Sequence, residues 1–589
     1  MDIRWNLDKI LPIKDFDKSI SLFERKIQLF TSIYSTSSTE IKISEFKSLL
    51  NLYIELTIDI YKIYTRAMLA EETNNNDESI KYIKTKANNI YVIFQNNTRS
   101  FINWIKGKET VNKNILSDKN SVKYFVKYPK LDYYFKRLRD LSKHTLDNTS
   151  EEIITHKDIT GIQTLLELKS LIETEQRYRT TINGKKRTFH NSSELSVYFK
   201  DKNKQNRVNS YNVLYKQYSK NINKYLTIYQ SIIKDWNYEK NLRGFKTNIA
   251  VRNFANDIND ASVTRLLDSC VKNKNIFIDF FELKRKEMGY KKFSRYDLYA
   301  SLGKVDKNYK YKEAINIILN AYKGFDSEFY NIAKSFLESN HLDVFPNKHK
   351  RSGAFCANIS PGINPYILLN YTNTIRDVSI LAHELGHAIH FILSQQQTIL
   401  TQDAPLTLAE TASIFSENLV FDYLFKQEKD KEIKKLMLFD KISDTYGTVT
   451  RQAYFVLFEI EAHEALNKGI KLSDFNNLYL NNLKSQFGKN IDIPELFKYE
   501  WSYIPHLVNS PFYCYAYPFG QLLSLALYQE YEKKGSEFLP KFKRILSSGG
   551  SKQPLKLLKD EGFDIGKSDF FDEGFKIVEN WVMQLKELL

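Results

Sequence analysis

The sequence predicts a mainly α-helical protein with a small β-sheet set just ahead of one central helix. Three observations carry that prediction. Gly and Pro are scarce, 20 and 12 among 589 residues, roughly 5% together where about 12% is usual, so tight turns are few and long helices are favoured over a sandwich or barrel. Long stretches repeat apolar residues at three- and four-residue spacing, the period of a helix with one buried face. One stretch, KRSGAFCANISPGINPYILLNYT (350–372), gathers Gly353, Pro361, Gly362 and Pro365 around two short apolar runs, AFCANI and YILLNY, and reads as a pair of strands.

Taken in order, residues 1–175 are amphipathic and helical, as in ISLFERKIQLFTSIY (20–34) and LLNLYIELTIDIYKIYTRAML (49–69), with polar punctuation at EETNNNDES (71–79) and LDNTSEE (146–152). The style breaks at YRTTINGKKRTF (178–189), where Asn183-Gly184 is the strongest short hairpin signal because both central positions of a type I′ turn need positive φ. A domain boundary is expected near 190, giving a helical domain over 1–190 and a second over 191–589. Helical pattern resumes to about 340, and again from 374 to the end, apart from the turn-rich IPHLVNSPFYCYAYPFG (504–520).

Composition narrows the function classes. The net charge is +16, from 86 basic and 70 acidic residues, but the excess is scattered lysine without a compact basic arm or Arg cluster, so nucleic acid is not expected as a partner. The cysteines Cys270, Cys356 and Cys514 are too few and too far apart for a disulfide framework, which points to a reducing compartment. No apolar run reaches the ~18 residues of a membrane span, and the N-terminus lacks a signal-peptide core. A cytoplasmic protein without a membrane partner is expected.

The stretch LAHELGHAIH (381–390) carries the chemistry. Thr374 is a good N-cap, and Asp377 three residues later is an acidic form of the capping box. At about 100° per residue, with His383 at zero, His387 falls near 40°, Glu384 near 100° and His390 about 20° to the other side, while Val378, Leu381, Leu385, Ala388 and Ile392 share the opposite face. His383-Glu384-Leu385-Gly386-His387 is therefore an HExxH motif: two imidazoles one turn apart can hold one tetrahedral zinc, and the glutamate beside them can reach a metal-bound water rather than the metal. Gly386 is costly inside a helix, about 1 kcal/mol against Ala, which suggests that another element comes close there.

A zinc site needs a third protein ligand. Downstream, PLTLAETASIFSENLVFDYLF (405–425) offers Glu410 and Glu417, seven apart and about 20° off one face. Residues alone leave the choice open between Glu410, Glu417 and an acidic residue elsewhere, because Thr407 and Glu410 also form a capping-box pattern.

HELGHAIH followed by LAETASIFSE resembles the oligoendopeptidase F group of the thimet-oligopeptidase-like zinc peptidases. The resemblance implies Glu410 as third zinc ligand beside His383 and His387, one Zn2+ per chain, with Glu417 a candidate for orienting a ligand histidine. WSYIPHLVNSPFYCYAYPFG (501–520) is similar to a family segment whose His and Tyr stabilise the tetrahedral intermediate, which puts His506 and Tyr517 in those roles with Tyr513 and Tyr515 as neighbours. GAFC (353–356) looks like the family's strand beside the cleft, where an extended substrate could pair with a sheet edge; Cys356 has no partner histidine in that pattern and is not expected to be a nucleophile. The implied fold is a large, multi-helical, zincin-like body enclosing a deep channel, with residues 1–190 as one wall.

The expected activity is endopeptidase cleavage of internal bonds in short oligopeptides, with Glu384 as general base. Monomers are favoured. A zinc carboxypeptidase of similar architecture is the alternative and would release single C-terminal residues. A basic nucleic-acid binder would instead show salt-sensitive retention and no stoichiometric zinc.

Overall fold

The computed structural model describes residues 3–37, 40–108, 115–303, 307–567 and 569–589. The chain opens with three long helices, α1 (Phe16–Thr36), α2 (Ile43–Thr73) and α3 (Glu78–Lys106). The expected punctuation at 71–79 is where α2 ends and α3 begins, and Asp77 caps α3 by accepting from the Ser79 and Ile80 amides. Gly107, at φ +76°, closes the same helix in the left-handed conformation that glycine adopts most easily. The apolar faces of the three helices meet in one core that includes Phe23, Phe30, Phe46, Phe101 and Trp104, with Phe30 and Phe101 edge to face at 5.6 Å.

Strands β1 (Tyr178–Ile182) and β2 (Lys185–Phe189) form the expected hairpin. Ile182 pairs with Lys185, and Asn183 and Gly184 between them both have positive φ, 51° and 75°. Further on, β3 (Leu342–Asp343), β4 (Phe355–Ala357) and β5 (Tyr366–Leu368) make a second sheet in the order β3-β5-β4. The antiparallel pair β4–β5 matches the expected strands, and β3 adds a third, parallel one. Two residues are too few to show a period-two pattern, which is why β3 is silent in the sequence. Tyr366, Ile367 and Leu368 are fully buried, as a central strand requires. From β5 the chain turns into the motif helix, Ile375–Ser394, capped as expected by Thr374 and Asp377.

By compactness the chain divides into two units, each assembled from three stretches. The first comprises Met1–Thr145, Lys307–Leu424 and Glu530–Phe563; the second comprises Leu146–Asp306, Phe425–Gln529 and Asp564–Leu589. Residue 190 falls inside the second unit, just after β2. In the first unit, Trp5, Ile10 and Leu69 pack against Ile359, Tyr366 and Leu368, which ties the N-terminal segments to the small sheet. Among the described residues no helix is long and apolar enough to cross a membrane.

Candidate active site

The motif helix buries Val378, Leu381, Leu385 and Ala388 and turns His383 and His387 the other way. Against it lies a second helix, Thr411–Gln427, which starts just after Glu410. Gly386 makes this approach possible. A Cβ built there would stand 2.6 Å from the Ala412 carbonyl oxygen, 2.6 Å from the Ser413 Cα and 2.8 Å from the Ser416 Oγ, so any side chain would push the helices apart.

Glu410 occupies the break between a short helix, Leu406–Ala409, and the helix that follows. The Thr407–Glu410 capping box does not form: the short helix is capped from Pro405 without a side-chain bond. Glu410 instead points its carboxylate at the motif histidines, with Oε2 at 3.3 Å from the Nε2 of His383 and 3.3 Å from the Nε2 of His387. The two Nε2 atoms are 3.2 Å apart, and Ser413 steadies Glu410 by donating its hydroxyl to Oε2 at 2.8 Å.

These three donors fit a metal ion by their spacing. A tetrahedral zinc with bonds of ~2.0–2.1 Å places its ligands about 3.3 Å from one another, and the observed separations are 3.2–3.3 Å. Donor chemistry agrees: two imidazoles and one carboxylate are a ligand set of hydrolytic zinc sites. Glu417 accepts from the Nδ1 of His383 at 2.6 Å, which fixes the tautomer and leaves Nε2 free as a donor atom. Ser379 donates to the other oxygen of Glu417 at 3.1 Å.

The electrostatics favour positive charge at this point. Burial works against protonation of His383, but hydrogen bonds and charge from Glu410 and Glu417 hold it up to about 10. Burial also works against the Glu410 charge, but His383 and His387 hold that carboxyl well below the usual range. Glu384, on the same helix, is 6% exposed. Burial pushes its carboxyl up, with the two imidazoles pulling the other way, which suits a group that must gain and lose a proton. His390 lies near His387 and Glu410 but is buried, held down to about 4 by desolvation and then by the His387 charge, and bonds to the backbone of Ala409, the residue before Glu410.

Cys356, on β4, is half-buried, and desolvation, with the nearby Glu384 charge adding to it, pushes its thiol well up, as suits an unreactive cysteine.

His506, Tyr513 and Tyr517 come together in the second unit. The Nε2 of His506 lies 3.1 Å from the Tyr517 hydroxyl. The Tyr513 ring lies parallel to the imidazole at 6.2 Å, and the Tyr517 ring stands perpendicular to it at 5.7 Å. Burial pushes His506 down from the usual imidazole range, which favours its neutral form. The segment is less of a loop than the sequence suggests. Tyr513–Tyr515 form one tight helical turn, and Tyr517 sits in the first turn of the helix Ala516–Lys534. Tyr515 points elsewhere, buried, its hydroxyl accepting from Asn256 at 2.8 Å.

A mainly helical body carrying HExxH with a remote glutamate at ligand distance defines a helical metallopeptidase. Residues 197–577 match peptidase family M3, and the chain belongs to that family. It is 26% identical over 598 aligned positions to an oligoendopeptidase F homolog of Borreliella burgdorferi, covering 99% of this chain and 98% of that protein. It is 25% identical to an oligoendopeptidase F homolog of Lactococcus lactis, over 91% of this chain and 89% of that one. Among solved structures, the fold is shared with a Chlamydophila abortus protein at TM-score 0.89 and 22% identity, covering 100% of this chain and 98% of the other. It is shared also with oligoendopeptidase-F from Enterococcus faecium at TM-score 0.70 and 20% identity, covering 98% and 99%.

Proposed function

We propose that the protein is a zinc endopeptidase that cleaves internal bonds of short oligopeptides. The observation that carries this reading is the triangle of donor atoms from His383, His387 and Glu410, 3.2–3.3 Å on each side. Those residues would hold one Zn2+, which supplies Lewis-acid polarisation of the scissile carbonyl and acidifies water at the site. The names of the relatives support oligopeptides as the substrate class.

The chain's own residues do the rest. Glu384 takes the proton of the attacking water and passes it to the leaving amine; its burial and raised carboxyl support this role. Glu417 orients His383 through Nδ1. His506 and Tyr517, with Tyr513 beside them, donate to the oxyanion as the tetrahedral carbon forms, exchanging their mutual 3.1 Å contact for it so that both protons become available. Such donors are worth about 2.7–4 kcal/mol each. The three free cysteines favour a cytoplasmic setting.

Glu384→Gln tests the reading. The variant should bind zinc as the wild type does and lose nearly all hydrolysis of a model peptide. Equal turnover by metal-loaded Glu384→Gln would remove the general-base role. Mass spectrometry of the wild-type products separates the two peptidase readings: internal fragments support the endopeptidase, and serial loss of single C-terminal residues supports a carboxypeptidase.

A further inference from the structure

The helix Thr450–Asn467 carries two buried ionisable side chains, Glu459 and His463, that the proposed chemistry does not use. Both meet Phe512. The Phe512 backbone stands at φ 58° and ψ 13°, left-handed, a conformation that a bulky residue adopts only when its surroundings enforce it. Its amide donates to the Glu459 Oε1 at 2.9 Å. Its ring is fully buried, with the His463 imidazole 4.6 Å away and the Trp236 ring at 6.3 Å. On either side, Arg252 donates to the Pro511 carbonyl at 3.0 Å and Asn256 to the Tyr515 hydroxyl at 2.8 Å.

We propose that Glu459 and His463 are positioning residues that hold the Phe512 turn, and through it the His506–Tyr513–Tyr517 cluster, in the arrangement needed for catalysis. Phe512 is followed directly by the Tyr513–Tyr515 turn and the first turn of the next helix, so its backbone angles set where Tyr513 and Tyr517 point. The polar pair is costly where it stands. Glu459 Oε2 and both ring nitrogens of His463 are buried and have no hydrogen-bond partner among the described residues. An apolar pair would fill this space more cheaply, but would leave the Phe512 amide buried without an acceptor. Burial pushes the Glu459 carboxyl up to about 8, against the pull of the Phe512 amide and the Arg252 charge.

This inference rests on the proposed role of His506 and Tyr517, and two readouts keep the ideas separable. The first is hydrogen exchange of the 512–515 amides in the zinc-loaded full chain. The second is the split of kcat from KM on a model peptide. Glu459→Leu should speed exchange at Phe512 and lower kcat on the order of 10–100-fold, the cost of small misplacements at a reacting centre. KM and zinc stoichiometry should stay near the wild-type values. Glu459→Gln keeps an acceptor and should restore most of both. If Glu459→Leu does not accumulate as folded protein, Glu459→Asp, one methylene short of the amide, should give the same pattern. Unchanged exchange and kcat in Glu459→Leu or Glu459→Asp would overturn the proposal, as would a Glu459→Gln variant no better than either. Tyr517→Phe and His506→Ala report on the other idea. If neither lowers kcat, the cluster has no role in catalysis and the positioning proposal falls with it, while the exchange data still tell whether Glu459 holds the turn.

Discussion

Glu417 serves two side chains with one carboxylate: Oε1 accepts a hydrogen bond from His383 Nδ1 at 2.6 Å and Oε2 accepts one from the Ser379 hydroxyl at 3.1 Å. In the proposed site it orients His383, and removing it should loosen a bound zinc without abolishing the fold. Glu417→Ala is expected to lower zinc affinity about 10–100-fold, read by competition against a chelator; equal affinity would show that His383 needs no such partner. The two histidines proposed as ligands are legible in the sequence because HExxH fixes two imidazoles on one helical face whatever else the chain does. Glu410 was only one candidate among several until the resemblance singled it out, since the spacing from His387 to a carboxylate on another helix follows no period. His390 illustrates the limit of a helical wheel. Its angle put it with the other histidines, but the wheel does not say where the neighbouring helix lies, and His390 is covered by the segment that carries Ala409.

At the scale of elements, the motif helix and the helix Thr411–Gln427 cross where Gly386 leaves room. Gly386→Ala improves helix propensity by ~1 kcal/mol, but its methyl meets backbone at 2.6 Å rather than a side chain that could turn away. Overpacking of this kind costs about 1–3 kcal/mol, and here it also moves Glu410 against the histidines. The variant should unfold at lower temperature and bind zinc more weakly, both measurable by thermal melts with and without metal. A melt unchanged from wild type would mean that the helices separate without cost. The glycine was readable as a sign of close approach, but not what approaches, because the partner lies on another stretch of chain.

The helix Thr450–Asn467 gives a pH-dependent expectation. Glu459, raised to about 8, binds its proton more tightly in the folded chain than in the unfolded one. Its contribution to stability is therefore present below the ordinary carboxyl value and is lost as pH rises through about 8. His463, held down to about 3 by burial, acts in the opposite sense: its contribution is present above the ordinary imidazole value and lost as pH falls through about 3. Urea midpoints taken from about pH 5 to about pH 8 should fall on the alkaline side in the wild type and fall less in Glu459→Gln. Parallel curves would mean that Glu459 carries no such shift.

Across the molecule, chain order and compactness disagree. Each unit draws on three separated stretches, and local pattern cannot tell which distant stretches will share a core. The sequence showed the hairpin at 178–189 and the punctuation between helices, because turn chemistry is local, but not that residues 307–424 join the N-terminal helices. Within the second unit, one buried carboxylate joins two of the separated stretches. Glu500 Oε1 accepts from Arg295 at 2.7 Å and from Arg451 at 3.0 Å, and Glu500 and Arg295 are 1% and 2% exposed. Burying this group is not in itself favourable, since desolvation offsets the attraction. Once the two guanidiniums are in place, however, losing the carboxylate strands positive charge inside the fold. Glu500→Ala should therefore destabilise the unit by ~3–5 kcal/mol and shift its urea midpoint down. Adding Arg295→Met to that variant removes one of the stranded charges and should recover part of the loss. If the double variant is no more stable than Glu500→Ala alone, the cost lies in lost packing around Glu500 and not in charge.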